Sequence, residues 1–90
     1  MSRWSLETSP EFDKSMRKLD RPIASRVKEY LEQVCELDDP HSRGKALTGN
    51  LVGYWRYRIG SYRVLVIIRE ESLILIAIDV AHRADVYDIT

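Results

Sequence analysis

Six side chains in this sequence are of types suited to phosphate chemistry: Arg56, Arg58, Arg63, His82, Arg83 and Tyr87. Guanidiniums grip phosphate through bidentate forks and stabilise the negative charge that grows on a pentacoordinate phosphorus. A histidine with an ordinary pKa can move a proton near neutral pH. A tyrosine can stack on a base or donate its hydroxyl. Metal-free RNA cleavage requires this set: a 2′-hydroxyl attacks the adjacent phosphate, positive charge stabilises the transition state, and a group protonates the departing 5′-oxygen. Each residue also has a plainer reading. Arginine is mostly exposed, so the three hairpin arginines can be solvated or paired with carboxylates elsewhere. A lone histidine is commonly a surface or half-buried residue, and a C-terminal tyrosine commonly plugs a core.

Other chemistries find less support. His41 and His82 are the only histidines and Cys35 the only cysteine, so no Cys/His metal cluster exists and no cofactor is implied. Ser61, His82 and Asp79 could be combined into a triad on paper, but no nucleophile elbow accompanies them. The segment Gly44 to Gly53 is too poor in glycine before a helix to cradle phosphate.

The arginines must be held by the stretch Tyr54 to Val66. Tyr54 to Ile59 is rich in aromatic and β-branched residues, which suit a pleated strand. Gly60-Ser61 then supplies a two-residue turn, because Gly at the first central position accepts the positive φ of a type II′ hairpin. Side chains alternate along a strand. Arg56 and Arg58 therefore share one face, with Trp55, Tyr57 and Ile59 on the other, and Arg63 joins the arginines if the register allows.

The remaining elements follow from hydrophobic period and caps. Arg3 to Thr8 alternates as a first strand. Ser9-Pro10-Glu11 opens a helix with Ser at the N-cap, Pro at the first helical position and an acid in the first turn. Phe12, Met16 and Leu19 form its apolar face. Asp20 caps a second helix, whose apolar face is Ile23, Val27, Tyr30, Leu31, Val34 and Leu37 and which stops at Asp38-Asp39-Pro40. His41 to Gly53 reads as a loop anchored by Leu47 and Leu51. Val64 to Ile68 is continuously apolar, a central strand buried on both faces. Glu70-Glu71-Ser72 turns the chain into a last strand, Leu73 to Val80, and the tail from Ala81 to Tyr87 is read as a helical turn. The expectation is one α+β domain over residues 1–90: a helical hairpin on one face of an antiparallel-dominated four-stranded sheet, in the order β-α-α-β-β-β.

Composition bounds the partners. The formal net charge is zero, which taken alone argues against a nucleic-acid binder. The distribution argues otherwise: residues 41–69 contain Arg43, Lys45, Arg56, Arg58, Arg63 and Arg69 and no acid. A local positive field attracts a phosphate chain even on a neutral protein. The single cysteine excludes an internal disulfide and suits a reducing cytoplasm. No segment resembles a signal peptide, and the longest apolar run is too short to span a membrane.

The hairpin ending Gly60-Ser61-Tyr62-Arg63-Val64-Leu65 and the end Val80-Ala81-His82-Arg83-Ala84-Asp85-Val86-Tyr87 together resemble the RelE/ParE superfamily of bacterial toxins. The opening Ser9-Pro10-Glu11-Phe12 and the loop Lys45-Ala46-Leu47-Thr48-Gly49 fit as well, so the resemblance spans essentially the whole chain. It implies the toxin of a type II toxin–antitoxin pair, with a RelB-like antitoxin as partner and operator DNA bound only through the antitoxin complex. The RelE branch enters the ribosomal A site and cuts mRNA without metal; the ParE branch shares the fold but poisons DNA gyrase. Under the RelE reading, the phosphate-stabilising arginine falls on Arg63 and the basic pair of the preceding strand on Arg56 and Arg58. The second arginine falls on Arg83, the terminal tyrosine on Tyr87, and His82 becomes the candidate for proton transfer. Arg43 and Lys45 would seat the protein on ribosomal RNA. RelE itself carries lysines where this chain has Arg56 and Arg58. A guanidinium is effectively never deprotonated, so neither can serve as general base. Base or acid duty then passes to His82, or cleavage relies on orientation and charge alone.

Overall fold

The computed structural model describes residues 3–83. Its first strand, β1 (Ser5–Thr8), leads into α1 (Pro10–Arg17) and α2 (Arg21–Cys35). Ser9 caps α1 as its sequence indicates. Its Oγ accepts from the Phe12 amide at 3.0 Å and donates to the Ile78 carbonyl at 2.6 Å, which ties the helix start to the sheet. Asp20 takes the extended backbone of an N-cap, but its side chain makes no capping hydrogen bond. α2 ends at Cys35 with Glu36 as C-cap, short of the expected Asp38.

Among the described residues the sheet has five strands, not the four expected: β1, β2 (Lys45–Ala46), β3 (Trp55–Ile59), β4 (Tyr62–Arg69) and β5 (Ile74–His82), in the order β1-β5-β4-β3-β2. The additional strand is β2 (Lys45–Ala46), set between 3-10 turns at Pro40–Arg43 and Gly49–Leu51. It pairs antiparallel with β3 (Trp55–Ile59), Lys45 opposite Arg56 and Ala46 opposite Trp55. Two residues are too few to show a period of two, so the loop composition of the segment concealed it. Each edge strand is short, which limits the unpaired backbone left exposed. β1 runs parallel to β5 (Ile74–His82), with Leu6 opposite Leu75, while the other pairings are antiparallel.

β3 and β4 (Tyr62–Arg69) form the expected hairpin. Ile59 stands opposite Tyr62, so Gly60 and Ser61 are the whole turn. Gly60 adopts φ 59° and Ser61 does not enter the left-handed region, the pattern of a type II′ turn. The β4–β5 connection instead places Leu73 at φ 55° in the turn, so the last strand starts at Ile74. The register between β4 and β5 shifts at Leu65/Val66, where β5 carries one extra residue between Ala77 and Asp79.

Both helices cover one face of the sheet. Val27, Leu31 and Val34 of α2 and Phe12 of α1 pack with Tyr57, Val64, Val66, Leu75, Ala77 and Val80. Each fully buried aliphatic contributes roughly 1.5–3 kcal/mol. Cys35 lies in this core, and burial, followed by the nearby Glu32 and Glu36 charges, pushes its thiol pKa up. The Tyr57 hydroxyl donates to the Pro40 carbonyl at 2.7 Å, which pins the turn after α2 to the sheet. β4 is central, as read, but only Val64 and Val66 are fully buried. Leu65 and Ile67 face away from the helices and are half-exposed. No helix among the described residues is long and apolar enough to cross a membrane.

Candidate functional site

The sheet face opposite the helices gathers the cations. Residues directly across an antiparallel pair share a face. Arg58 stands opposite Arg63 and Arg56 opposite Leu65, so Arg56, Arg58 and Arg63 project together. β2 adds Lys45 beside Arg56. This last juxtaposition was not legible in the sequence, because it depends on the unseen strand. Beyond the cations the same face carries the half-exposed Leu65 and Ile67, with Ile76 opposite Ile67.

Arg56 is the most enclosed cation, 9% exposed. Its guanidinium pKa is pulled below the ordinary arginine value, first by burial and then by the Arg63 and Arg58 charges. Three like charges on one face are mutually unfavourable, and an anion against them relieves that cost. Among the described residues no carboxylate forms an ion pair with Arg58 or Arg63. Asp79, the one acid inside β5, is engaged elsewhere: its Oδ1 accepts from Ser15 Oγ at 2.7 Å and from the Val80 amide at 2.8 Å.

The other expected site residues divide. Arg83 reaches the hairpin end of the sheet, where its amide donates to the Ser61 carbonyl at 2.7 Å. Its side chain is exposed. His82 is not beside the arginines. It stands opposite Tyr62 and meets that ring edge-on, with centroids 5.2 Å apart. Tyr62 alternates with Arg63 and, with Ile23 and Arg26 of α2, lines a cavity of about 140 Å³. His82 therefore occupies the helix side of the sheet, because an even number of positions separates it from the core residue Val80. Arg43 is likewise turned from the arginine face, 5.9 Å from the centroid of the Tyr30 ring on α2. The helical turn expected from Ala81 does not start there, because Ala81 and His82 continue β5 in its pairing with β4; the rest of that segment from residue 84 on, including Tyr87, lies outside the described residues.

His41 forms a polar cluster that the sequence reading left unassigned. Its Nδ1 lies 2.7 Å from Asp39, its Nε2 3.6 Å from Glu70, and its ring is edge-on to Trp55 at 4.5 Å. The available signal was Asp39 two residues earlier, the spacing of an Asx turn. The His41 hydrogen bonds hold the Asp39 carboxyl pKa below the usual range. The cluster joins the turn after α2 to the β4–β5 turn.

The protein is thus a small α+β domain with a cationic sheet face opposite a helical hairpin, and comparison with known proteins gives its family. The family model for the ParE toxin of type II toxin-antitoxin system, parDE, matches residues 6–87. The chain belongs to this family, within the RelE/ParE superfamily, and is a toxin of a type II toxin–antitoxin system. Among solved structures, the toxin–antitoxin complex RelBE2 from Mycobacterium tuberculosis contains a chain with 28% identity and a TM-score of 0.84, the match covering 94% of this chain and 97% of that one. A chain of the intact E. coli RelBE complex matches at 20% identity and TM-score 0.70, over 88% of this chain and 95% of that one. The YoeB/ParE toxin from Agrobacterium tumefaciens matches at 15% identity and TM-score 0.71, over 87% and 96%. The last two establish likeness of fold. No curated protein sequence matches the chain.

Proposed function

We propose that this toxin is a ribosome-dependent, metal-independent mRNA endoribonuclease acting in the cytoplasm. The observation that carries the reading is the row of Arg56, Arg58 and Arg63 on the sheet face opposite the helices, with the Arg56 guanidinium disfavoured first by burial and then by its two neighbours. Such a face fits a polyanion and favours a transition state more anionic than its ground state. Arg63 clamps the scissile phosphate, Arg58 opposite it shares the developing charge, and Arg56 and Lys45 continue the contact along the strand. Arg83 stabilises the leaving side from the hairpin end, and Tyr87 stacks on or orients the nucleotide. With His82 on the helix side, orientation and charge supply the catalysis in this reading. Arg43 stays with Lys45 as a candidate contact to ribosomal RNA. The toxin–antitoxin complexes among the relatives support a RelB-like antitoxin as partner.

The test is primer extension on a translated reporter mRNA, with wild type and Arg63→Ala. New 5′ ends inside codons should depend on translation and fall about 10²- to 10³-fold in Arg63→Ala, the size of losing one preorganised donor. The match to a ParE toxin model favours a second reading, inhibition of DNA gyrase without nuclease activity. Growth arrest with intact mRNA and accumulating DNA breaks would establish that reading and overturn the first.

A further inference from the structure

The zero net charge conceals a separation of charge along the strand axis. α2 begins with Arg21, Arg26 and Lys28 and continues with Glu29 and Glu32, with Glu36 at its C-cap. It has no acid in its first turn and no base in its last. Apart from the Asp20 N-cap, this order opposes the helix dipole, which favours anions at the N-terminus and cations at the C-terminus. α1 obeys the dipole, with Glu11 and Asp13 in its first turn and Lys14 and Arg17 in its last. The result is a predominantly cationic tip: Lys14, Arg17, Lys18 and Arg21 surround the α1–α2 connection, all exposed, with the Asp20 N-cap as the one acid among residues 14–21. Among the described residues none of these, nor Arg26 or Lys28, forms an ion pair.

The fold places this tip beside the arginine hairpin. Ile23 and Arg26 share a cavity with Ile59, Ser61 and Tyr62. The Arg26 guanidinium lies against the hairpin turn, where a Cβ on Gly60 would meet its Nη2 at 3.3 Å. Arg83 is hydrogen-bonded to the same turn. The far end of the molecule carries more acids than bases, with Arg3 and Arg69 among its carboxylates. The Trp4 amide donates to the Cys35 carbonyl and the Ser5 amide to the Leu73 carbonyl, which brings Glu36, Asp38, Glu70 and Glu71 to that end. Of these, Asp38 is paired with Arg3 and Glu70 lies near His41.

We infer that the α1–α2 tip is a second nucleic-acid contact, in which Arg17, Lys18, Arg21 and Arg26 hold the phosphodiester backbone of a folded RNA segment adjoining the strand bound on the arginine face. Lysines and arginines on an exposed helix tip position a backbone without reading bases. The acidic far end turns away from the same backbone, so the charge separation orients the toxin as it approaches. The inference rests on the proposed ribonuclease reading for its choice of RNA.

The test compares wild type with the triple variant Arg17→Gln, Lys18→Gln, Arg21→Gln in co-sedimentation with purified bacterial ribosomes. Ionic strength is varied from about 50 to 200 mM, because each phosphate contact adds to the salt slope. The triple variant should bind at least about tenfold more weakly at the lower salt and lose about 2 from that slope. Its far-ultraviolet spectrum and melting should match wild type. Glu29→Gln, Glu32→Gln, Glu36→Gln, which alters the acidic half of α2, should not weaken binding. Unchanged affinity and slope in the basic triple variant, while Arg63→Ala still abolishes mRNA cleavage, would overturn this contact and leave the ribonuclease reading standing. Failure of wild type to bind ribosomes, with binding of a DNA duplex of about 24 base pairs that the basic triple variant weakens, would overturn both the RNA assignment and that reading.

Discussion

Arg58 of β3 stands directly opposite Arg63 of β4, two guanidiniums paired across strands with no carboxylate in ion-pair contact among the described residues. Like charges in this position destabilise a sheet by about 0.2–1 kcal/mol. The hairpin thus gives up stability where the proposed reaction needs charge. Arg58→Thr should raise the unfolding free energy measured in urea by about 0.2–1 kcal/mol, while mRNA cleavage falls at least about tenfold. Both are read on the same purified variant. A variant that loses stability would show that the pair is not under the electrostatic strain described.

Tyr57 joins the sheet to the turn after α2 through its hydrogen bond to the Pro40 carbonyl, and its side chain is fully buried. Tyr57→Phe leaves that carbonyl without the bond and should cost about 1–2 kcal/mol in denaturant unfolding. Burial, with smaller contributions from Tyr30, Cys35 and Asp39, pushes the hydroxyl pKa well up. A pKa raised by folding means that the neutral form is favoured in the folded state. The contribution is fully present below the unfolded value of about 10 and is lost as pH rises above it. The stability advantage of wild type over Tyr57→Phe should therefore hold from neutral pH to about 10 and shrink beyond it. A gap that stays constant to higher pH would contradict the buried-hydroxyl account.

Gly44 is required for proximity rather than for an unusual backbone, since its φ is −107°. A Cβ there would come within 3.1 Å of Tyr57 Cε1 and 3.3 Å of Trp55 Cε3, two ring atoms with little room to yield. Gly44→Ala should destabilise by about 1–3 kcal/mol, the usual cost of overpacking. It should also displace the segment bearing Arg43 and Lys45. Thermal unfolding and tryptophan fluorescence would register the two effects, and a variant that melts like wild type would show that the rings have space.

The hairpin and its arginine face were legible because both rest on local rules. Strand alternation separates Arg56 and Arg58 from Tyr57, and Gly60 selects the turn that sets Arg58 against Arg63. The helices were legible through Ser9-Pro10 and the spacing of Val27, Leu31 and Val34. What escaped is non-local. β2 exists only because Lys45 and Ala46 meet Arg56 and Trp55, and two residues carry no period of their own. The side of the sheet taken by His82 depends on the β4–β5 register, including the extra residue between Ala77 and Asp79 that shifts every later position of β5. Motif order set His82 beside Arg83 in the chain. The bulge and strand alternation set its ring against Tyr62 instead.

On the proposed reading, that placement makes packing against Tyr62, rather than proton transfer, the expected role of His82. Its ring packs edge-on to Tyr62, an arrangement in which an aromatic contributes about 0.5–1.5 kcal/mol beyond its buried area. His82→Phe keeps an aromatic against Tyr62 and removes the ring nitrogens. It should retain mRNA cleavage within about threefold of wild type and show the same pH–rate profile, because a general acid or base typically contributes 10²- to 10⁴-fold. His82→Ala should lower thermal stability through loss of the stack and slow cleavage only in step with any unfolding. A fall of about 10²-fold in His82→Phe, with loss of one limb of the pH profile, would mean that the ring reaches the reacting phosphate from the helix side. The assignment of catalysis to charge and orientation on the arginine face would then fail.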